Sequence, residues 1–473
     1  MLAIELNSGG HVVLDGAEAA PELALVSALV PALAVLEPPA LLLGAAAARR
    51  ARLAPLFVSR AHWEHPGGTP LPRGLPGATT HGEVAFAQLR ELWPVAGRAG
   101  VVAVSPATNP DDLGQLAGLF QAADREPLAW VDAAVASTAE RPATARALWV
   151  EAEAGRTVLA ELQREPVSAG WQVRRTRVEV SRAVGTSRMD DAVARAIANH
   201  FLRVARFDPL AVAATEQELY DALPGVHAAL ADEAPVAVVL GTGLAAREVT
   251  IDRDELALAC QPLVVEVLRL VQSARRAGEP LTVHVGARLA SLPGLVAALR
   301  ALPDLAIDLL PLAAAASGAM RLAATLEAGT AAGARWLLAA PTAAPVELQA
   351  TPLTAADVPT HVLWQGRAWP LSAVPLVLGR APGAMGLALE GPAAGLSREH
   401  CQLLRVGSEA VVEDLSTYGT WLNGERVRRR SRLRAGDVLR LGVPGVELVL
   451  LAVQSVAPGE LLAASSPGKF ERN

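Results

Sequence analysis

The chain has 473 residues and a formal net charge of −6. At roughly 100–200 residues per domain, this length holds more than one domain. Hydrophobic content of 52% and charged content of 19% describe folded rather than disordered chain. The acidic balance excludes a general attraction to nucleic acid or anionic membrane. Two cysteines, Cys260 and Cys401, stand far apart without ligand spacing, which argues against a disulfide scaffold or zinc site.

The opening residues, MLAIELNSGGHVVLDG, lack the charged start and apolar core of a signal peptide. The apolar stretch Leu23 to Ala48 contains Pro31, Glu37, Pro38 and Pro39, which break a spanning helix of roughly 20 residues. The expectation is a soluble, cytoplasmic chain with no membrane contact. Val101 to Val104 predicts a buried strand and Asp111 to Ala123 a helix. Arg146 to Leu162 reads as a hairpin turning at Ala154-Gly155. Met189 to Phe207 predicts an amphipathic helix with Val193, Ile197, Phe201 and Val204 on its stripe. Asp190 and Asp191 suit its N-terminal dipole. A second long helix follows over Asp254 to Ala277, striped by Leu256, Leu263, Val267 and Val271. Leu281 to Val285 predicts a strand and Leu292 to Leu302 a helix. Alternation of this kind is α/β organisation.

From about Thr351 helical spacing disappears. Short strands are predicted at His361–Trp364, Ala373–Gly379, Gly386–Leu389, Cys401–Val406, Ala410–Asp414, Trp421–Leu422, Val438–Leu441 and Glu447–Val453. Their close spacing implies an all-β sandwich. The division is therefore 1–339, a linker at 340–359 rich in Ala, Pro and Thr, a β domain at 360–456 and a tail at 457–473. From His361 onward there are 13 Arg and Lys against 10 Asp and Glu, about +3, so the C-terminal part is the basic one. The run ERVRRRSRLR has no interleaved aromatics for stacking on bases and reads as a solvated loop.

Three pieces of the β region stand in order: Leu378-Gly379-Arg380, Leu396-Ser397-Arg398-Glu399-His400, and DLSTYGTWLNG from Asp414 to Gly424. Together they resemble the forkhead-associated (FHA) domain, a sandwich that binds phosphothreonine peptides. The resemblance implies Arg380 and Ser397 on the phosphate, Thr417 on the phosphate or the adjacent peptide, and Arg398 on the peptide. Gly379 and His400 would be structural, His400 bracing the serine loop. Asn423-Gly424 suits a tight turn, since both tolerate positive φ, and Trp421 reads as core. Tyr418 stands where the family usually has asparagine, and a phenol does not offer both donor and acceptor in the amide's geometry.

The first part resembles, in patches, the nucleotide-binding domain of the heat-shock-70 chaperones, an actin-like ATPase. The patches are Leu43-Gly44-Ala45-Ala46, the helix with Asn199-His200-Phe201, Val249-Thr250-Ile251 before Asp254-Glu255-Leu256, Leu281 to Leu295, and Ala314 to Leu326. The resemblance implies nucleotide contacts at Glu5, Asn7 and Ser8 in a first phosphate loop, Glu151 and Gly155 in a second, Asp132 between them, and Gly286 in an adenosine loop. These loops lack the family's glycines, and Glu151 and Glu153 would repel a triphosphate. Two alternatives stand: a pseudo-ATPase kept as a scaffold, with no cofactor and no catalytic or metal residues, or a divergent ATPase in which Glu5, Asp132 and Glu151 hold the magnesium of Mg-ATP.

The resulting expectation is a bacterial, cytoplasmic adaptor in which an FHA reader on a degenerate chaperone-like domain recruits a threonine-phosphorylated protein of a Ser/Thr kinase pathway. The alternatives are an ATPase coupled to phosphopeptide binding, and a scaffold with no phosphate dependence.

Overall fold

The computed structural model describes the chain apart from residues 17–28, 38–39, 76–77, 231–234, 242, 244–245, 277–278, 325–334, 349–357, 384–385, 390–394, 408, 443–444 and 453–473. Residues 349–357 of the expected linker and all of the expected tail lie outside the described residues. Internal contacts separate two units, Met1–Val271 with Pro280–Leu348, and Gln272–Glu279 with Gln349–Asn473. The expected linker begins too early. Ala339–Thr342 is an edge strand paired antiparallel with Gly170–Ser181, Trp171 opposite Thr342. An edge tolerates Pro341, which is why a strand hides in loop-like composition.

The first unit is α/β and contains two sheets of similar plan. In one, the hairpin Leu2–Leu6 and Val12–Asp15 is followed by Gly100–Val104, which adds parallel to Leu2–Leu6; Ala129–Asp132 and Arg335–Leu337 continue in parallel. In the other, Arg146–Ala152 begins an antiparallel meander with Thr157–Val167 and Gly170–Ser181, and Leu281–Val285 and Leu305–Leu309 add parallel on its other side. Both sheets thus start with a hairpin and grow by parallel strands beside the hairpin's first strand. Gly100–Val104 and Arg146–Ala152 are buried throughout, as parallel strands covered on both faces must be. Between the sheets, helix Ala314–Ala324 packs on helix Ala133–Thr138. A Cβ at Gly318 would lie 1.9 Å from the carbonyl oxygen of Ala136, so this crossing requires glycine.

Several expectations shift by a turn. The helix Thr186–Ala205 buries Val193, Ile197 and Phe201, but Val204 is 65% exposed. The helix ends there, with Arg206 left-handed at φ 52°. Asp190 and Asp191 lie beyond its first turn and serve tertiary bonds instead. Asp191 takes Arg52 and the Tyr220 hydroxyl, and Asp190 is 2.9 Å from His227 Nε2. The later helix, Arg253–Ser273, buries Leu256, Cys260, Val264, Val267 and Val271, while Leu263 is half-buried. By length and composition this helix could cross a membrane, yet it carries Asp254, Glu255, Glu266 and Arg269 and turns its apolar stripe into the unit. The helix expected over Leu292 to Leu302 is confined to Leu295–Arg300, because Gly294 at φ 83° starts it late.

The second unit is a sandwich of two sheets. One has the order Arg367–Pro370, His361–Trp364, Val446–Leu451, Val438–Leu441, Thr420–Leu422, Glu425–Arg426. The other runs Leu387–Ala388, Leu376–Gly379, Cys401–Val406, Glu409–Asp414, Arg430–Leu433. Leu378, Cys401, Leu403, Val412, Leu439, Leu448 and Leu450 form its core from alternating positions. The basic run is not a loop. Val427 and Leu433 are buried, and Arg430 faces Glu413 across a strand pair. Arginine hid the strand because only its inward positions are apolar. Trp421 is half-buried rather than core, with the Arg440 guanidinium 5.1 Å above its ring.

Candidate functional site

Three loops of the sandwich are tied together at the ends of Leu376–Gly379, Cys401–Val406 and Thr420–Leu422. The N–H of Arg380 donates to the Ser397 carbonyl (3.0 Å) and that of Ala381 to the Arg398 carbonyl (3.0 Å). This approach requires Gly379, where a Cβ would come within 2.1 Å of the Arg398 oxygen. The N–H of Thr417 donates to Ser397 Oγ at 3.2 Å, bringing the second and third loops together. Ser397 keeps its hydroxyl proton for another acceptor. Arg380, Arg398, Thr417 and Tyr418 are exposed, Tyr418 by 59%. Neither the Arg380 nor the Arg398 guanidinium has a protein partner among the described residues.

His400 lies beneath. Its Nδ1 accepts the Ser397 N–H at 3.1 Å, so its Nε2–H donates to the Gly419 carbonyl at 2.9 Å. Burial lowers its pKa from the ordinary value, with Gly419 and Asp414 opposing, and the neutral ring is the form these two bonds need. Asn423 and Gly424 have φ of 52° and 86°, a two-residue turn. Asn423 is also buried. Its Nδ2 donates to Asp437 (2.9 Å), and its Oδ1 accepts the Val438 N–H (2.9 Å).

Asp414, Ser416 and Thr420 carry a role that the sequence did not single out. Asp414 Oδ1 accepts from the Ser416 hydroxyl (2.7 Å), the Ser416 N–H (3.1 Å) and the Thr420 hydroxyl (2.8 Å). Burial pushes this carboxyl up, but the hydroxyl and amide donors outweigh it and hold it below the usual range. Ser416 Oγ in turn accepts the Gly419 N–H at 2.7 Å. These bonds fix the loop that presents Thr417 and Tyr418. The Asp-x-Ser spacing, which favours side-chain turns, was the available signal.

In the α/β unit, Glu5, Glu151 and Gly286 meet, but around a protein cation. Arg288 is buried, with Nη1 2.9 Å from Glu5 Oε1 and 3.2 Å from Glu151 Oε2, and its Nη2 donates to the Gly10 carbonyl at 2.8 Å. Gly286 makes room for a carboxylate: a Cβ there would lie 2.2 Å from Glu151 Oε2. Burial raises Glu151 to about 7, with Arg288 pulling down and Glu5 pushing up. The donors of the first loop are spent within the protein. Asn7 Nδ2 bonds Ala152 O (3.3 Å), the Gly9 N–H bonds Asn7 Oδ1 (2.7 Å), and Ser8 Oγ donates to Glu64 (3.0 Å) while accepting the Ala154 N–H (3.1 Å). Gly155 lies in the turn after Glu153. The cavity beside Ser8, Ser105, Glu153 and Arg156 holds about 20 Å³, room for a water. Asp132 does not join this group. It caps Ala133–Thr138 through the N–H groups of Ala134 (3.0 Å) and Val135 (3.2 Å) and pairs with Arg175 at 2.7 Å.

The family model of the FHA domain matches residues 376–442. The second unit therefore carries an FHA domain, of a class that binds phosphothreonine-containing proteins. The match does not extend to the α/β unit. Comparison of the chain with curated proteins gives no match.

Proposed function

We propose that the protein is a phosphothreonine-dependent adaptor, and that Arg380, Ser397 and Thr417 hold the phosphate. The observation that carries this is the Thr417 N–H to Ser397 Oγ bond at 3.2 Å, beside an exposed Arg380 whose backbone is bonded to the Ser397 carbonyl. A phosphate needs a fixed cation with short hydroxyl and N–H donors, and these are the groups gathered at one end of the sandwich. Tyr418 and Arg398 border the site and would meet the peptide. The phosphate would be placed by a Ser/Thr kinase on a cytoplasmic partner. Titration of a phosphothreonine peptide pool into the full chain, wild type against Arg380→Ala, tests this reading.

We infer further that the α/β unit is a degenerate actin-like ATPase kept as a platform. Its two sheets of like plan, each a hairpin extended by parallel strands, support that descent. The residues at its centre do not fit a magnesium nucleotide. The Glu5–Arg288–Glu151 group fills the position with protein charge, two carboxylates would repel a triphosphate, and the loop donors are already engaged. Mg-ATP is expected to leave the thermal unfolding of the chain unmoved, and a dose-dependent rise would contradict the pseudo-ATPase reading.

A further inference from the structure

We infer that the peptide taken by this site is acidic beside its phosphothreonine, and that Arg426 selects for it. The inference rests on the phosphothreonine reading and specifies its ligand. Arg426 stands opposite Trp421 across the Asn423-Gly424 hairpin. That register returns its side chain to the loop carrying Thr417 and Tyr418. A Cβ built on Gly419 would lie 2.8 Å from Arg426 Nε and 3.2 Å from its Cζ. Gly419, at φ 104°, presents bare backbone there, and the guanidinium rests against it.

Arg426 is exposed and has no ion pair or hydrogen bond among the described residues. Arg428 and Arg429 are exposed as well, but the next two arginines of the segment are paired. Arg430 pairs with Glu413 at 3.5 Å and Arg432 with Glu409 at 2.6 Å. Those arginines are neutralised by the sheet, whereas Arg426 is held at the edge of the site with its charge unmet. Arg398, next to Ser397, is exposed and unmet in the same way. A phosphate of about −1.5 to −2 charges is matched by one guanidinium and the hydroxyl and amide donors. Further fixed guanidinia beside it complement carboxylates on the peptide, which they can bind by two parallel hydrogen bonds.

The test titrates the full chain with four phosphothreonine peptides bearing Glu on the N-terminal flank, the C-terminal flank, both or neither, Gln replacing Glu elsewhere. Unphosphorylated versions complete the set. Wild type is expected to bind the best acidic phosphopeptide about tenfold more tightly than the neutral one. Arg426→Gln should reduce that ratio, weakening the acidic phosphopeptide more than the neutral one, with the unfolding midpoint unchanged. Phosphate-dependent binding with no acidic preference, or a preference untouched by Arg426→Gln, would overturn the inference and leave the phosphothreonine reading standing. Acid-dependent binding indifferent to phosphate would overturn that reading, and this inference with it.

Discussion

Glu151 shows how a single buried side chain changes meaning between sequence and structure. In sequence it stands where a phosphate loop is expected. In the fold it is half of a buried pair of carboxylates sharing Arg288, with its pKa raised from 4.5 to about 7 mainly by burial. A carboxyl raised on folding holds its proton more tightly in the native state. Its contribution to stability is therefore fully present below pH 4.5 and is lost as pH rises to about 7. Glu151→Gln removes this dependence. Its stability relative to wild type should grow between pH 4.5 and 7, by on the order of 3 kcal/mol at the upper end. Denaturant unfolding of both proteins at several pH values checks it, and a difference flat with pH would contradict it. His11 and His62, lowered by burial to about 3 and 4, act in the opposite direction below pH 6.5 in both proteins, so the comparison cancels them. Arg288 was not legible beforehand, because nothing in its local sequence says that a residue 283 positions away supplies its carboxylate. Ser397, Thr417 and His400 were legible because their motif is local and ordered.

At the scale of elements, what the sequence disclosed followed periodicity. Leu281–Val285, Cys401–Val406 and Val438–Leu441 match their expected limits, since each is an apolar or alternating run between turn residues. Ala339–Thr342 and Arg430–Leu433 were missed because edge strands need few apolar residues, and the partner of the first lies far off in sequence. The alanine-rich helix Ala314–Ala324 was expected, but not the reason for its Gly318. That position meets the backbone of Ala136, and backbone does not yield as a side-chain tip can. Gly318→Ala should cost about 1–3 kcal/mol or more by overpacking, despite alanine's better helix propensity. A thermal unfolding midpoint equal to wild type would contradict the close crossing.

The whole molecule joins two different uses of charge. In the α/β unit, Glu5 and Glu151 are turned inward onto Arg288, although Glu5 Oε2 and Arg288 Nε keep no hydrogen-bond partner among the described residues. In the FHA domain, Arg380, Arg398 and Arg426 are turned outward with no partner among the described residues. The first arrangement spends its charges inside the protein and the second leaves them facing outward. The division into an α/β part and a β sandwich was readable from the loss of helical spacing near Thr351. The boundary itself was not, because Ala339–Thr342 looks like linker and folds as strand. The most direct test is calorimetry of the full chain with one phosphothreonine peptide from a responsive pool, its unphosphorylated form and its phosphoserine form. The account predicts binding of the phosphothreonine peptide alone, and its loss in an Arg380→Ala protein that unfolds at the wild-type midpoint. Equal binding with and without phosphate, or full binding by Arg380→Ala, would contradict it.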